Sequence, residues 1–166
     1  MKRQKSFGTP AFESKICAPA RLQEHIGALP RPVVFTNGVF DILHRGHVTY
    51  LAHGRALGAS LIVALNSDAS VRRLGKGDDR PVNSLPDRVA VVAALEAVTL
   101  VTWFEEDTPR ELILQVRPDV LVKGGDWRPQ DIVGATEVQS WGGAVHSIAF
   151  EHERSTTELL QKIRKM

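Results

Sequence analysis

A single cysteine, Cys17, stands among the 166 residues, so no disulfide can form within the chain and none of its stability comes from a covalent staple. Cys17 lies in a polar leader, where an inert thiol in a reducing or thiol-indifferent compartment is the expectation. Aromatic residues are also scarce, at 6% and scattered, and the charge is nearly balanced, 21 basic residues against 19 acidic ones leaving +2. A nucleic-acid binder presents a basic face interleaved with aromatic platforms. Neither count points to nucleic acid, and any polyanion bound here is expected to be small. No apolar run approaches the ~20 residues that cross a bilayer, so no membrane span is expected. After the basic Met1-Lys2-Arg3-Gln4-Lys5 there is no unbroken apolar stretch of ~7–15 residues, and export is not expected.

A hydrophobic share of 43% beside 24% charged residues describes an ordinary water-soluble globule. A chain of this length buries roughly 70% of its unfolded surface, enough for one core. Residues 1–18 mix Ser6, Gly8, Pro10 and charges without periodicity and read as a flexible tail, leaving 19–166 as the single domain. Leu22, Ile26 and Leu29 predict a short helix over Pro19–Leu29, closed by Pro30 and Pro32.

Five apolar runs follow: Val33–Thr36, Leu61–Leu65, Val98–Trp103, Val120–Val122 and Val145–Phe150. Their near-continuous apolar character is that of strands covered on both faces. Helix starts are marked between them by Ser84 with Asp87, Thr108 with Pro109 and Glu111, and Ser155 with Glu158. Such β-α alternation predicts an α/β fold, a Rossmann-like, doubly wound parallel sheet of five strands. Ligands then gather at the carboxyl ends of the strands where the strand order reverses.

The first run is followed at once by Gly38-Val39-Phe40-Asp41-Ile42-Leu43-His44-Arg45-Gly46-His47. Gly38 permits a tight turn, and Val48, Leu51 and Ala52 at helical spacing open a helix immediately after. A helix start offers unpaired N–H groups and partial positive charge to a phosphate, and Gly46 removes the side chain that would block its approach. His44 and His47, three residues apart, can hydrogen-bond one phosphate from the same side. The same spacing also suits a zinc site, which the lack of nearby Cys ligands disfavours. Arg154-Ser155-Thr156-Thr157 opens the last helix as a second anion site, and Ser155 with Glu158 also reads as a capping box. The loop Gly75–Asn83 carries cationic tips: Lys76 and Arg80 are candidates for a sugar phosphate or triphosphate. Arg88 either reaches the same site or forms a solvated pair with Asp87.

The ten-residue segment resembles the His-x-Gly-His signature of the cytidylyltransferase-like nucleotidyltransferases, with its preceding Gly-x-Phe-Asp. The resemblance implies that His44 and His47 contact the triphosphate and stabilise the transition state at the α-phosphorus. It also implies that Thr36, Asn37, Gly38 and Phe40 line the nucleotide pocket, and that Asp41 holds the loop or a sugar-phosphate group. The Ser-Thr-Thr core of residues 155–157 is similar to the family's grip on the β- and γ-phosphates.

Lys123-Gly124-Gly125-Asp126, with Arg80-Pro81-Val82-Asn83 and Glu105–Pro109, resembles the adenylyltransferases of ADP-heptose synthesis, the D-glycero-β-D-manno-heptose 1-phosphate adenylyltransferases. The likeness runs over about Val33 to Lys162. It implies Lys123 beside the histidines at the catalytic centre, with Gly124 and Asp126 at the nucleotide and Trp127 at the substrate. A plain structural turn with a packed Trp127 is the other reading of that block. The implied reaction transfers AMP from ATP to the heptose 1-phosphate, with Mg²⁺ on the phosphates and no dedicated protein metal site. Its product would enter lipopolysaccharide core synthesis from the cytoplasm, and the enzyme would be a homo-oligomer, dimer or higher. The alternative within the fold is a cytidylyltransferase acting on glycerol 3-phosphate or another small phosphate ester. A nucleotide-binding regulator without turnover is disfavoured by the presence of both histidines.

Overall fold

Alternate residues of the strands face opposite sides, and both sides are covered. In this computed structural model, which describes residues 8–75, 77, 79–151 and 156–165, Val33, Phe35, Ile62 and Ala64 pack into one buried cluster. Val34, Leu61, Val63 and Leu65 pack into the other. That period of two, apolar on each face, explains the continuous apolar runs in the sequence.

The strands are β1 (Val33–Gly38), β2 (Ser60–Asn66), β3 (Leu100–Phe104), β4 (Val120–Gly124) and β5 (Ala144–Ile148). All pair in parallel, in the order β3-β2-β1-β4-β5. Helices α1 (Leu22–Ile26), α5 (Arg110–Val116) and α6 (Ala135–Ser140) bury Leu22, Ile26, Ile113 and Val138 against the first face. Helices α2 (Arg45–Arg55) and α4 (Leu85–Ala93) bury Tyr50, Leu51, Val89 and Val92 against the second. The sheet is therefore the five-stranded, doubly wound, parallel one expected. Its winding reverses at β1, whose neighbours are β2 on one side and β4 on the other, and the crevice between β1 and β4 at their carboxyl ends is the expected place for a ligand.

Local details differ from the sequence reading. The helix expected over 19–29 is a 3-10 turn at Pro19–Arg21 followed by the five-residue α1. Two six-residue helices, α3 (Asp68–Arg73) and α6, were not anticipated. The Ser84 side chain accepts no backbone N–H of α4 but donates to Asp87 Oδ2 at 2.5 Å, and the N-cap position of α5 is Pro109 rather than Thr108.

Part of the segment expected to be a flexible tail is ordered against the sheet. Ala11–Lys15 forms a 3-10 turn, Ile16 bridges Val101 of the edge strand β3, and the Cys17 N–H donates to the Val101 carbonyl at 2.9 Å. Cys17 is itself buried, and burial pushes its thiol upward. The reason is an edge: β3 would otherwise expose a row of unpaired backbone groups.

Candidate active site

The chain leaves β1 at a glycine that makes room for a ring. A Cβ on Gly38 would stand 2.9 Å from the Phe40 ring. Phe40 adopts φ +49°, a left-handed conformation that costs a non-glycine residue about 1–2 kcal/mol. Burial of its ring, 5% exposed, offsets that strain. The turn delivers His44 as the N-cap of α2, where no side chain caps the helix. The His47 N–H returns to the His44 carbonyl at 3.0 Å, and Gly46, buried between them, adds no side chain at the helix start.

The His44 and His47 rings lie 3.9 Å apart, tilted by 31°, and the Phe40 ring stands 5.3 Å from that of His47. Burial, and secondarily the neighbouring His44, pulls His47 down from 6.5 to about 4, so it is neutral at pH 7. Its Nδ1 is buried with no hydrogen-bond partner among the described residues. A buried polar atom left this way is costly unless a ligand or water completes it.

A cavity of about 270 Å³ opens at this place, lined by Asn37, Gly38, Phe40 and His47 on one side and by Lys123, Gly124 and Trp127 on the other. Those are the carboxyl ends of β1 and β4. Larger hollows exist, such as one of about 430 Å³ beside Val48, Leu51 and Leu95, but it lies on the outer flank of α2, away from the strand ends. The chemistry gathers at the smaller one.

Beside Val39 of the signature segment, two lining residues are not singled out by the sequence reading. Tyr50 follows His47 by three positions on α2 and shares its face, which was the available signal. Its hydroxyl forms a short hydrogen bond with Thr36 Oγ1 and donates to the Val122 carbonyl at 3.4 Å, and burial pushes its phenol upward. In the sequence Phe150 reads only as the end of the fifth apolar run. Its ring meets Tyr50 at 5.7 Å and His47 at 6.4 Å, both edge-on.

Several expected contacts fall elsewhere. Thr36 does not line the cavity: it is 1% exposed and lies behind Tyr50, to whose hydroxyl it is hydrogen-bonded. Asp126 is exposed and outside the lining. Thr156 begins α7 (Thr156–Arg164) and donates to the Ile42 carbonyl at 3.3 Å, joining that helix to the signature loop, while Thr157 is exposed. Lys76, Arg154 and Ser155 lie outside the described residues.

Asp41, Arg80 and Arg88, expected at the substrate, are buried and engaged with the protein. Arg80 Nε donates to Asp41 Oδ2 at 2.5 Å. The Val82 and Asn83 N–H groups both donate to Asp41 Oδ1 at 2.9 Å, and Asn83 Nδ2 donates to the Asp41 carbonyl at 2.6 Å. Burial alone would raise the Asp41 carboxyl, but those N–H groups and the guanidinium outweigh it and hold it below its ordinary value. Arg88 donates to the Val39 carbonyl at 2.7 Å, the Asn83 carbonyl at 3.0 Å and Asp68 Oδ1 at 2.7 Å. Of the two readings of Asp41, the one that holds the loop is the one its contacts support. Arg80 and Arg88 brace the signature loop against residues 80–83 and do not project into the cavity, and Arg88 does not pair with Asp87.

Comparison with known proteins agrees with this architecture. The family model described as cytidylyltransferase-like matches residues 35–162. A D-beta-D-heptose 1-phosphate adenylyltransferase from Bordetella bronchiseptica is 59% identical over 93% of this chain and 96% of its own length. The bifunctional protein HldE of Cronobacter sakazakii is 61% identical over 80% of this chain, which spans 28% of that longer protein. Among solved structures, a lipopolysaccharide core biosynthesis protein from Thermoplasma volcanium superposes with a TM-score of 0.59 at 27% identity, covering 74% of this chain and 98% of that one. A pantoate-beta-alanine ligase from Francisella tularensis, at 12% identity and TM-score 0.58 over 91% of this chain and 78% of that one, shares the fold. With the signature histidines paired at the strand switch and the family model spanning most of the domain, the chain belongs to the cytidylyltransferase-like family.

Proposed function

We propose that the protein is a nucleotidyltransferase that moves AMP from ATP to a heptose 1-phosphate, D-glycero-β-D-manno-heptose 1-phosphate. The observation that carries the reading is the stacked His44–His47 pair beside the cavity between β1 and β4. The choice of substrates rests on likeness to the Bordetella bronchiseptica adenylyltransferase over nearly its whole length.

In the reaction, a phosphate oxygen of the sugar 1-phosphate attacks the α-phosphorus of ATP. The bond from that phosphorus to the β-bridging oxygen breaks, and pyrophosphate departs with the electron pair. The protein's task is to align the two phosphates and to stabilise charge on the oxygens around the attacked phosphorus. His47, neutral at pH 7, donates one N–H from a buried setting, where a hydrogen bond to an oxyanion is stronger than in water. His44 adds a second donor from the adjoining ring, the α2 N-terminus adds positive potential, and Lys123 offers charge from the β4 side.

Mg²⁺ is proposed as the cation that accompanies ATP, neutralising charge on the phosphate oxygens. Among the described residues no three His, Cys, Asp or Glu side chains converge as a metal cage, and a cation that arrives on phosphates with its waters does not need one. No described helix is long and apolar enough to cross a membrane. A cytoplasmic role in lipopolysaccharide core synthesis and a homo-oligomeric state complete the proposal.

The test is pyrophosphate release measured with each of four nucleoside triphosphates against sugar 1-phosphates and glycerol 3-phosphate, repeated with His47→Ala. ATP with the heptose 1-phosphate is expected to be the productive pair. Turnover confined to CTP and glycerol 3-phosphate would overturn the substrates, and undiminished turnover by the variant would overturn the site.

A further inference from the structure

Two large apolar side chains remain exposed around one short stretch of backbone. Trp127 is 49% exposed and Phe150 41% exposed, and both line the cavity beside the histidine pair. Isolated exposed apolar residues need no explanation, but a pair of aromatic rings on the wall of a concave site does.

Their placement depends on glycine. A Cβ on Gly124 would lie 2.7 Å from Phe150 Cζ and 3.3 Å from Tyr50 Cε2. Gly125, at φ +111°, has Trp127 Nε1 3.2 Å and Phe150 Cε2 3.9 Å from the point where its Cβ would stand. The Gly-Gly step lets both rings settle against bare backbone, one reached from β4 and the other from the end of β5. The Trp127 N–H is fixed in turn, since it donates from the backbone to Ser147 Oγ at 3.0 Å. Phe150 is held edge-on to Tyr50 and His47. An ordinary turn needs neither the second glycine nor two half-exposed rings around it.

We infer that Phe150, with Trp127, forms the stacking surface for the base of the nucleotide, and that Phe150 is a specificity-determining residue favouring a purine over a pyrimidine. The inference rests on the nucleotidyl transfer proposed above and names the part of the triphosphate substrate that this wall receives. Every base offers a π-face, so stacking alone discriminates by area. A bicyclic purine covers two aromatic edges where a single ring covers one. Phe150 touches His47 as well, so the surface that takes the base adjoins the ring that takes the phosphates, as one nucleotide requires.

The experiment compares wild type, Phe150→Leu, Phe150→Ala and Phe150→Tyr. It uses pyrophosphate release with the heptose 1-phosphate, and quenching of tryptophan emission by ATP, CTP and inorganic triphosphate. Phe150→Leu keeps an apolar group against Tyr50, so it guards against loss of fold in the alanine variant. The leucine and alanine variants are expected to raise KM for ATP about tenfold, the scale of one lost base stack, with kcat within about twofold. The preference for ATP over CTP should narrow by a similar factor, tyrosine should restore both, and inhibition of turnover by inorganic triphosphate should not change. An unaltered KM for ATP in Phe150→Leu, a loss confined to kcat, or failure of tyrosine to restore would overturn the inference. Should wild type release no pyrophosphate from any pair, the reaction proposed above fails. Quenching by ATP but not by triphosphate, lost in Phe150→Leu, would still establish the base contact, and its absence would remove it.

Discussion

Arg80 reaches across 39 residues of sequence to place its Nε 2.5 Å from Asp41 Oδ2, with both side chains almost completely removed from solvent. Two backbone N–H groups, from Val82 and Asn83, share the same carboxylate. The two partners are therefore unequal. Removing Arg80 leaves Asp41 with backbone donors, whereas removing the Asp41 carboxylate leaves a buried guanidinium and two buried N–H groups without their acceptor. Asp41→Ala is expected to cost about 3–5 kcal/mol of stability, and Arg80→Met about half of that. Urea unfolding of the two variants checks the order, and equal losses would show that the carboxylate does not organise the loop.

Arg88 supplies a second brace with a different chemistry. Its three acceptors, the Val39 and Asn83 carbonyls and Asp68 Oδ1, lie in separate directions around one planar fork, a pattern that an ammonium group cannot reproduce. Arg88→Lys is expected to destabilise by about 2–3 kcal/mol despite keeping the charge. Because the Val39 carbonyl precedes the left-handed Phe40, kcat should fall as well. Denaturant midpoints and pyrophosphate release are the measurements, and a lysine variant with wild-type stability would refute the brace.

His47→Ala removes the donor proposed to reach the reacting phosphate from a half-buried ring. Loss of one such donor commonly lowers kcat by about 10²–10³-fold. The stability of the variant should be little reduced, because Nδ1 of His47 makes no hydrogen bond among the described residues. Turnover and thermal unfolding measured on the same preparation separate the two effects.

The sequence made some of these features legible and hid others for physical reasons. The strands were readable because coverage on both faces makes them almost wholly apolar, and the histidine pair because its spacing and its place after β1 are local properties. Helices α3 and α6, at six residues each, are too short to display a helical period. The union of Ile16 and Cys17 with Val101 joins segments far apart in the chain, and nothing in the leader's composition records it. Arg80, in a polar loop, and Arg88, in the first turn of a helix, read as ligands for phosphate because charged residues in such places are normally solvated. Their burial depends on acceptors contributed by Val39, Asp41 and Asp68, which only the folded chain brings near.

Gly124 offers a test of how closely the aromatic wall fits. An added methyl would stand 2.7 Å from Phe150 Cζ and 3.3 Å from Tyr50 Cε2, and the half-exposed Phe150 ring gives way before the buried Tyr50. Gly124→Ala is expected to cost less than about 1 kcal/mol in stability while raising KM for ATP severalfold, since the displaced ring no longer meets the base. A variant with unchanged KM would mean that Phe150 can be shifted without consequence for the nucleotide.

Acid should weaken the fold through His47. Its pKa is depressed from 6.5 to about 4 by burial and by His44, so between those values the unfolded chain binds a proton that the folded ring refuses. Stability therefore falls as pH drops through that window and is fully retained above it. The loss at the lower end is on the order of 3 kcal/mol. The Asp41 carboxyl, held below its ordinary 3.8, titrates at lower pH and adds nothing in the same interval. Urea midpoints at pH 7 and pH 4.5 are expected to differ in wild type by more than in His47→Asn, which carries no titrating ring at that position. If the two proteins lose stability in parallel, the His47 imidazole is not the group that resists protonation.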